Sequence, residues 1–245
     1  MARKIASKEL KGKIIIALDV KNRTEAQKIL ELLPEARIFK VGLELFTAEG
    51  PAMIETVKNY GRQVFLDLKL HDIPNTVAGA VRAAVRHGVS MLTVHTSGGK
   101  EMMRRAVEAA KEEAEKEGIE PPLLLGVTVL TSLKDKDLEE TGIISETQVQ
   151  VLRLAGLALD SGLKGIVCSP QEIELLRREL GPDLKIITPG IRPGWAEAQD
   201  QKRIMTPAEA LIKGADYMVI GRPITQAASP AEAFTRLAGE LEAAV

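Results

Sequence analysis

A chain of 245 residues can bury a sizeable core, and it suits either two small domains or one large α/β barrel, whose usual size is about 250 residues. Its 45% hydrophobic and 27% charged content is that of an ordinary globular protein, and 33 basic against 34 acidic residues leave a formal charge of −1, which excludes long-range attraction to nucleic acid or an anionic membrane. One cysteine, Cys168, excludes an internal disulfide framework and fits a reducing cytoplasm, while MARKIASKELKGK lacks an apolar signal core and no stretch nears the roughly 18 apolar residues of a membrane span.

Short β-branched runs predict strands at residues 13–19, 37–42, 63–69, 91–95, 123–130, 165–168, 185–188 and 217–220. The first contains Ile14, Ile15, Ile16, Ala17 and Leu18 in succession, a run that indicates burial on both faces, as in parallel strands covered by helices. Between strands, apolar residues recur at helical spacing. Ala26, Ile29, Leu30 and Leu33 do so in the first gap. His87, before Gly88, occupies the C-terminal turn of a helix in the third. In the fourth, Met102, Met103, Ala106, Ala109 and Ala110 share a face opposite Glu108, Lys111 and Glu112, and the run 111–117 reads as a solvated helix face. Eight strand–helix units at near-regular spacing, with no Ser/Gly/Pro-rich linker, predict an α/β fold: a (β/α)8 TIM barrel forming one domain over residues 1–245. An open doubly wound sheet would place a glycine-rich phosphate turn after the first strand, where this chain has Asp19-Val20-Lys21-Asn22.

In such barrels the working groups stand at the C-terminal strand ends. Those ends carry Asp19, Lys40, Asp67 with Lys69, His95, Thr131, Thr188 and Gly221-Arg222. In the third strand, side-chain alternation turns Leu66, Leu68 and Leu70 toward the helices and Asp67 and Lys69 into the barrel, with Asp72 just beyond and near enough to join them. Buried charges cost several kcal/mol each unless paired. The bland alternative is an ion pair that merely satisfies itself. A lysine among carboxylates keeps its proton, because opposite charge outweighs desolvation; Lys69 is then a proton donor and a poor Schiff-base nucleophile. Thr188 to Gly194 form a Gly/Pro-rich loop with one arginine, Arg192, leading to Asp200-Gln201, the pattern of a flap over a ligand. Gly221 and Arg222 follow the last strand, and barrels often hold phosphate with the loops after strands seven and eight. His71, His95 and Cys168 are read as structural, Trp195 as part of the flap, and no spacing suggests a zinc site.

DLKLHDIPNT at 67–76 resembles the signature of the orotidine 5′-phosphate decarboxylase family, and the likeness extends to ALDV (17–20), FKVG (39–42), VHTSGG (94–99), TPGIRP (188–193), DQKRIMTP (200–207) and VIGRPI (219–224). The resemblance implies decarboxylation of orotidine 5′-phosphate to uridine 5′-phosphate, the last step of pyrimidine nucleotide synthesis, with no metal and no organic cofactor. It implies that Lys69 protonates C6, that Asp67 sits beside the departing carboxylate, and that Asp19 and Lys40 contact the ribose and hold the charged network. Asp72, Ile73 and Thr76 would be shared across the interface of a homodimer. Thr131 and Gln201 would contact the pyrimidine, with Gln201 also reaching the phosphate, and Arg192, Gly221 and Arg222 would grip the phosphate. The catalytic set is then Lys69, Asp67, Asp72 and Lys40. Two alternatives stand beside it. Magnesium-dependent sugar-phosphate decarboxylases, such as those of 3-keto-L-gulonate 6-phosphate, are similar in their Asp-x-Lys-x-x-Asp pattern but place a metal-binding glutamate where this chain has Lys40. A catalytically silent phosphate-binding barrel is the other.

Overall fold

The structure, a computed structural model, describes residues 7–196 and 205–244. Eight parallel strands close into a barrel in chain order: β1 (Ile14–Ala17), β2 (Ile38–Gly42), β3 (Gln63–Leu70), β4 (Met91–His95), β5 (Leu123–Val127), β6 (Gly165–Val167), β7 (Lys185–Thr188) and β8 (Tyr217–Ile220). Closure comes from β1 pairing with β8 through Ile14↔Met218, Ile15↔Val219 and Ile16↔Ile220. The helices are α1 (Ser7–Gly12), α2 (Arg23–Leu32), α3 (Leu43–Glu49), α4 (Ala52–Asn59), α5 (Pro74–Arg86), α6 (Gly99–Glu117), α7 (Asp135–Glu140), α8 (Thr147–Asp160), α9 (Ile173–Leu180), α10 (Pro207–Lys213), α11 (Arg222–Thr225) and α12 (Pro230–Ala243).

Strand alternation divides the apolar residues into two cores. Ile15, Ala17, Ile38, Phe65, Met91, Leu125, Ile187 and Val219 fill the barrel interior, while Ile14, Ile16, Phe39, Val64, Leu66, Ile186 and Met218 pack outward against the helices. Truncating a side chain such as Phe65 in that plug would cost about 3–5 kcal/mol through lost burial and the cavity left behind. Helix starts follow from local chemistry. The Asn22 side chain accepts the Glu25 N–H at the start of α2, and Thr206 and Glu209 cap α10 reciprocally, with Pro207 in its first turn.

Three strands stop earlier than the apolar runs predict, β6 by the single residue Cys168 and two others by more. β1 ends at Ala17 and β5 at Val127, not at 19 and 130. A strand extends only while a neighbour offers a ladder. β6 ends at Val167, whose carbonyl takes both the N–H and the hydroxyl of Thr128, and from there the chain leaves the sheet. A second correction concerns Glu113, placed by sequence on a solvated face. It is buried where α6 packs on α5, paired to Arg86 at 2.7 Å and to Lys116 at 3.6 Å. Burial of Ala109, Ala110 and Ala114 around it shows that the packed stripe is wider than the charge pattern suggests. His87 does cap α5, as expected.

Candidate active site

A cavity of about 270 Å³ opens at the C-terminal ends of the strands. Asp19, Lys40, Asp67, Lys69, Thr131, Arg192, Gly221 and Arg222 all line it, so one site gathers eight of the residues singled out by sequence, from six separate parts of the chain. The rest of the lining is largely apolar, with Val127, Val129, Val167 and Ile191 among it. A charged wall joined to an apolar one suits a polar ligand that carries a flat ring.

The charges alternate. Lys69 Nζ donates to Asp67 Oδ2 at 2.9 Å; Lys40 Nζ lies 3.9 Å from the same oxygen and 2.9 Å from Asp19 Oδ1. The row Asp19–Lys40–Asp67–Lys69 is neutral in sum and sheltered at its centre, where the Asp67 and Lys40 side chains are 13% and 11% exposed. Removing one member would leave its neighbour's charge poorly compensated, which is why such groups persist only as a set. Gly42 makes room for it: a β-carbon there would lie 3.0 Å from Lys40 Nζ. On the far side, Gly221 packs so close to β1 that a β-carbon would meet that of Ala17 at 3.3 Å. Arg192 is buried, and its N–H donates to the Met205 carbonyl at 2.9 Å, fixing the loop after β7.

The third strand keeps the expected alternation, with Asp67 and Lys69 in the cavity lining and Leu66, Leu68 and Leu70 on the helix side, but its register against β4 is irregular. Leu66 pairs with Leu92, but the next register is Leu70↔Val94, so β3 advances four residues while β4 advances two. Within that irregularity Lys69 has φ +51°, the left-handed region, alone among the described non-glycine residues. Such a conformation costs a β-carbon-bearing residue about 1–2 kcal/mol and tends to occur where a site requires it. Both Asp67 and Lys69 face the cavity.

Asp72 corrects an expectation. It does not join the cluster of its own chain; it is exposed, and its Oδ1 accepts the Ile73 N–H at 2.6 Å. The chain leaves the barrel mouth after Leu70, carrying Asp72, Ile73 and Thr76 outward, all exposed and outside the cavity lining. Gln201 and the flap from residue 197 lie outside the described residues. His71 and His95 stand outside the lining and pack on each other, ring centres 5.4 Å apart. Burial holds the His95 imidazole below its ordinary range, and His71 and Lys69 push the same way. Cys168 lines the cavity as well as packing, and burial drives its thiol well above the usual range. Trp195 is tied to α12: its Nε1 donates to Glu240 at 2.6 Å and the Arg236 guanidinium stands 4.9 Å above its ring.

Sequence reasoning passed over Thr93, whose hydroxyl touches both Lys69 and Asp67. The available signal was a lone hydroxyl at an inward position of the otherwise apolar run Met91 to Val94. Among the described residues no group of three or more His, Cys, Asp or Glu is arranged to hold a metal ion.

Comparison with known proteins agrees with this picture. The family model described as orotidine 5′-phosphate decarboxylase / HUMPS family matches residues 12–237. An orotidine 5′-phosphate decarboxylase of Paramagnetospirillum magneticum is 54% identical over 229 residues, covering 93% of this chain and 97% of that protein. One from Moorella thermoacetica is 53% identical, covering 95% and 93%. The crystal structure of orotidine 5′-phosphate decarboxylase from Lactobacillus acidophilus superposes with a TM-score of 0.84 at 38% identity, covering 93% of this chain and 98% of that one. With a charged row at the barrel mouth and a match that spans nearly its whole length, the chain belongs to the orotidine 5′-phosphate decarboxylase / HUMPS family.

Proposed function

We propose that this protein decarboxylates orotidine 5′-phosphate to uridine 5′-phosphate, with residues 1–245 forming one barrel domain. The observation that carries the reading is the Asp19–Lys40–Asp67–Lys69 row, with contacts of 2.9, 3.9 and 2.9 Å, in a cavity that also holds Arg192 and Arg222. As the bond from C6 to the carboxylate breaks, CO2 leaves and the bonding pair stays on C6 in the ring plane, where the π system cannot delocalise it. An ammonium aimed at C6 stabilises that charge as it develops and then delivers its proton, completing uridine 5′-phosphate; the neutral amine regains a proton from solvent. Lys69 has this role. Asp67 holds the ammonium in line and stands beside the departing carboxylate. Lys40 and Asp19 take the ribose hydroxyls, Thr131 the pyrimidine, and Arg192, Gly221 and Arg222 the phosphate, with Gln201 bridging ring and phosphate. A phosphate far from the reacting carbon contributes binding energy that orders the site.

The working unit is a homodimer in which Asp72, Ile73 and Thr76 of one subunit complete the site of the other. Their exposure supports this, since the apolar Ile73 is 67% exposed. The reaction needs no metal and no organic cofactor. Lys40 supports that point, because its ammonium already stands between Asp19 and Asp67 and would repel Mg2+. A reducing cytoplasm suits the single buried cysteine.

Incubating purified protein with orotidine 5′-phosphate in excess chelator should give steady loss of substrate absorbance, with uridine 5′-phosphate as product at the chelator-free rate. Strict Mg2+ dependence would move the assignment to the sugar-phosphate decarboxylases, and no turnover under either condition would leave a silent barrel.

A further inference from the structure

β4 supplies no charge to the cavity, yet its Thr93 touches both halves of the working pair. The residue is fully buried, at 0% exposure. Its Oγ1 accepts the backbone N–H of Lys69 at 2.9 Å and lies 3.0 Å from Asp67 Oδ1. A backbone N–H can only donate and an ionised carboxylate can only accept, so the single hydroxyl proton points to Asp67. Asp67 Oδ2 meanwhile takes the Lys69 ammonium at 2.9 Å. A closed ring results, running from the Lys69 main chain through Thr93 and Asp67 back to the Lys69 side chain.

That ring sits where the β3–β4 ladder is broken, between Leu66 and Leu70. The Lys69 N–H finds the Thr93 hydroxyl there, and Lys69 holds its left-handed φ of +51°. We propose that Thr93 is a positioning residue: one hydroxyl fixes the strained main chain of Lys69 and the carboxylate that aims its ammonium, so that the proton is held in line with the reacting carbon. This rests on the assignment of Lys69 as proton donor in the decarboxylation.

Three variants test it: Thr93→Val, nearly isosteric and without a hydroxyl; Thr93→Ser, which keeps the hydroxyl; and Thr93→Cys, a weak and bulkier donor. A small misplacement of a reacting group can cost about 10²-fold in rate, so kcat should fall about 10²-fold in Thr93→Val and stay within about threefold of wild type in Thr93→Ser. KM for orotidine 5′-phosphate and the Kd of uridine 5′-phosphate should move far less than kcat, since Thr93 acts only through Asp67 and Lys69. If Thr93→Val does not fold, the order Ser well above Cys decides the matter. A Val variant with wild-type kcat, a Ser variant as impaired as Val, Cys equal to Ser, or losses in KM and kcat of equal size would each overturn the proposal. Lys69→Ala in the same assay separates the two ideas: full activity there removes the proton-donor assignment itself, whereas an inactive Lys69→Ala beside a fully active Thr93→Val removes only the role of Thr93.

Discussion

Lys69 combines an unfavourable backbone with a well-compensated charge, and the two are linked through Asp67 and Thr93. Lys69→Ala keeps the β-carbon and the left-handed backbone but removes the ammonium, leaving Asp67 with Lys40 and Thr93. Turnover should drop by about 10³-fold or more, the scale of a lost proton donor that also stabilises charge, while uridine 5′-phosphate still binds, as titration calorimetry would read. Unchanged turnover would strike Lys69 from the mechanism. His95 makes a pH prediction. Burial, then His71 and Lys69, hold its imidazole below the ordinary value of 6.5, against a weaker pull from Asp67. The unfolded chain therefore takes up this proton first as pH falls. The stability from neutral His95 is complete above 6.5 and declines with pH until the folded value is passed. Urea midpoints at pH 7.5 and 5.5 should differ less in His95→Gln than in the wild type, and an equal difference would contradict it.

At the scale of elements, α5 and α6 meet through a buried carboxylate. Hydrogen bonding to Arg86 holds the Glu113 carboxyl below the usual range, with Lys116 adding to the effect. A carboxylate shifted downward stabilises the fold above its ordinary value and loses that contribution as pH falls through the folded one. Glu113→Gln should thus lower Tm near pH 7, and the gap to the wild type should close toward pH 3; a gap that persists in acid would mean that packing, not charge, is responsible. The loop after β7 is anchored at both ends of its described part, by the Arg192–Met205 main-chain bond and by Trp195 on α12.

For the whole molecule, the cavity of one chain holds seven of its own charged or strand-end groups and Thr131, but not Asp72. If each site borrows Asp72 from a two-fold mate, Lys69→Ala and Asp72→Ala dimers should each be inactive alone and active after subunit exchange. Random reassortment would restore roughly a quarter of wild-type sites, because each hybrid regains one intact site of two. No recovery on mixing, with exchange confirmed by mass, would place Asp72 outside the neighbouring site. What the sequence determined unaided was whatever depends on short-range pattern: eight apolar runs at barrel spacing, and polar residues such as Asp19, Lys40, Asp67 and Arg222 at their ends. Periodicity and composition are local, so they are written in the chain. Tertiary structure alone decided where β1 and β5 stop, that Glu113 is buried, that Asp72 turns away from its own cluster, and that Thr93 reaches residues 24 and 26 positions earlier. Those outcomes turn on strand register and on a neighbour's offer of a partner, which no window of adjacent residues contains.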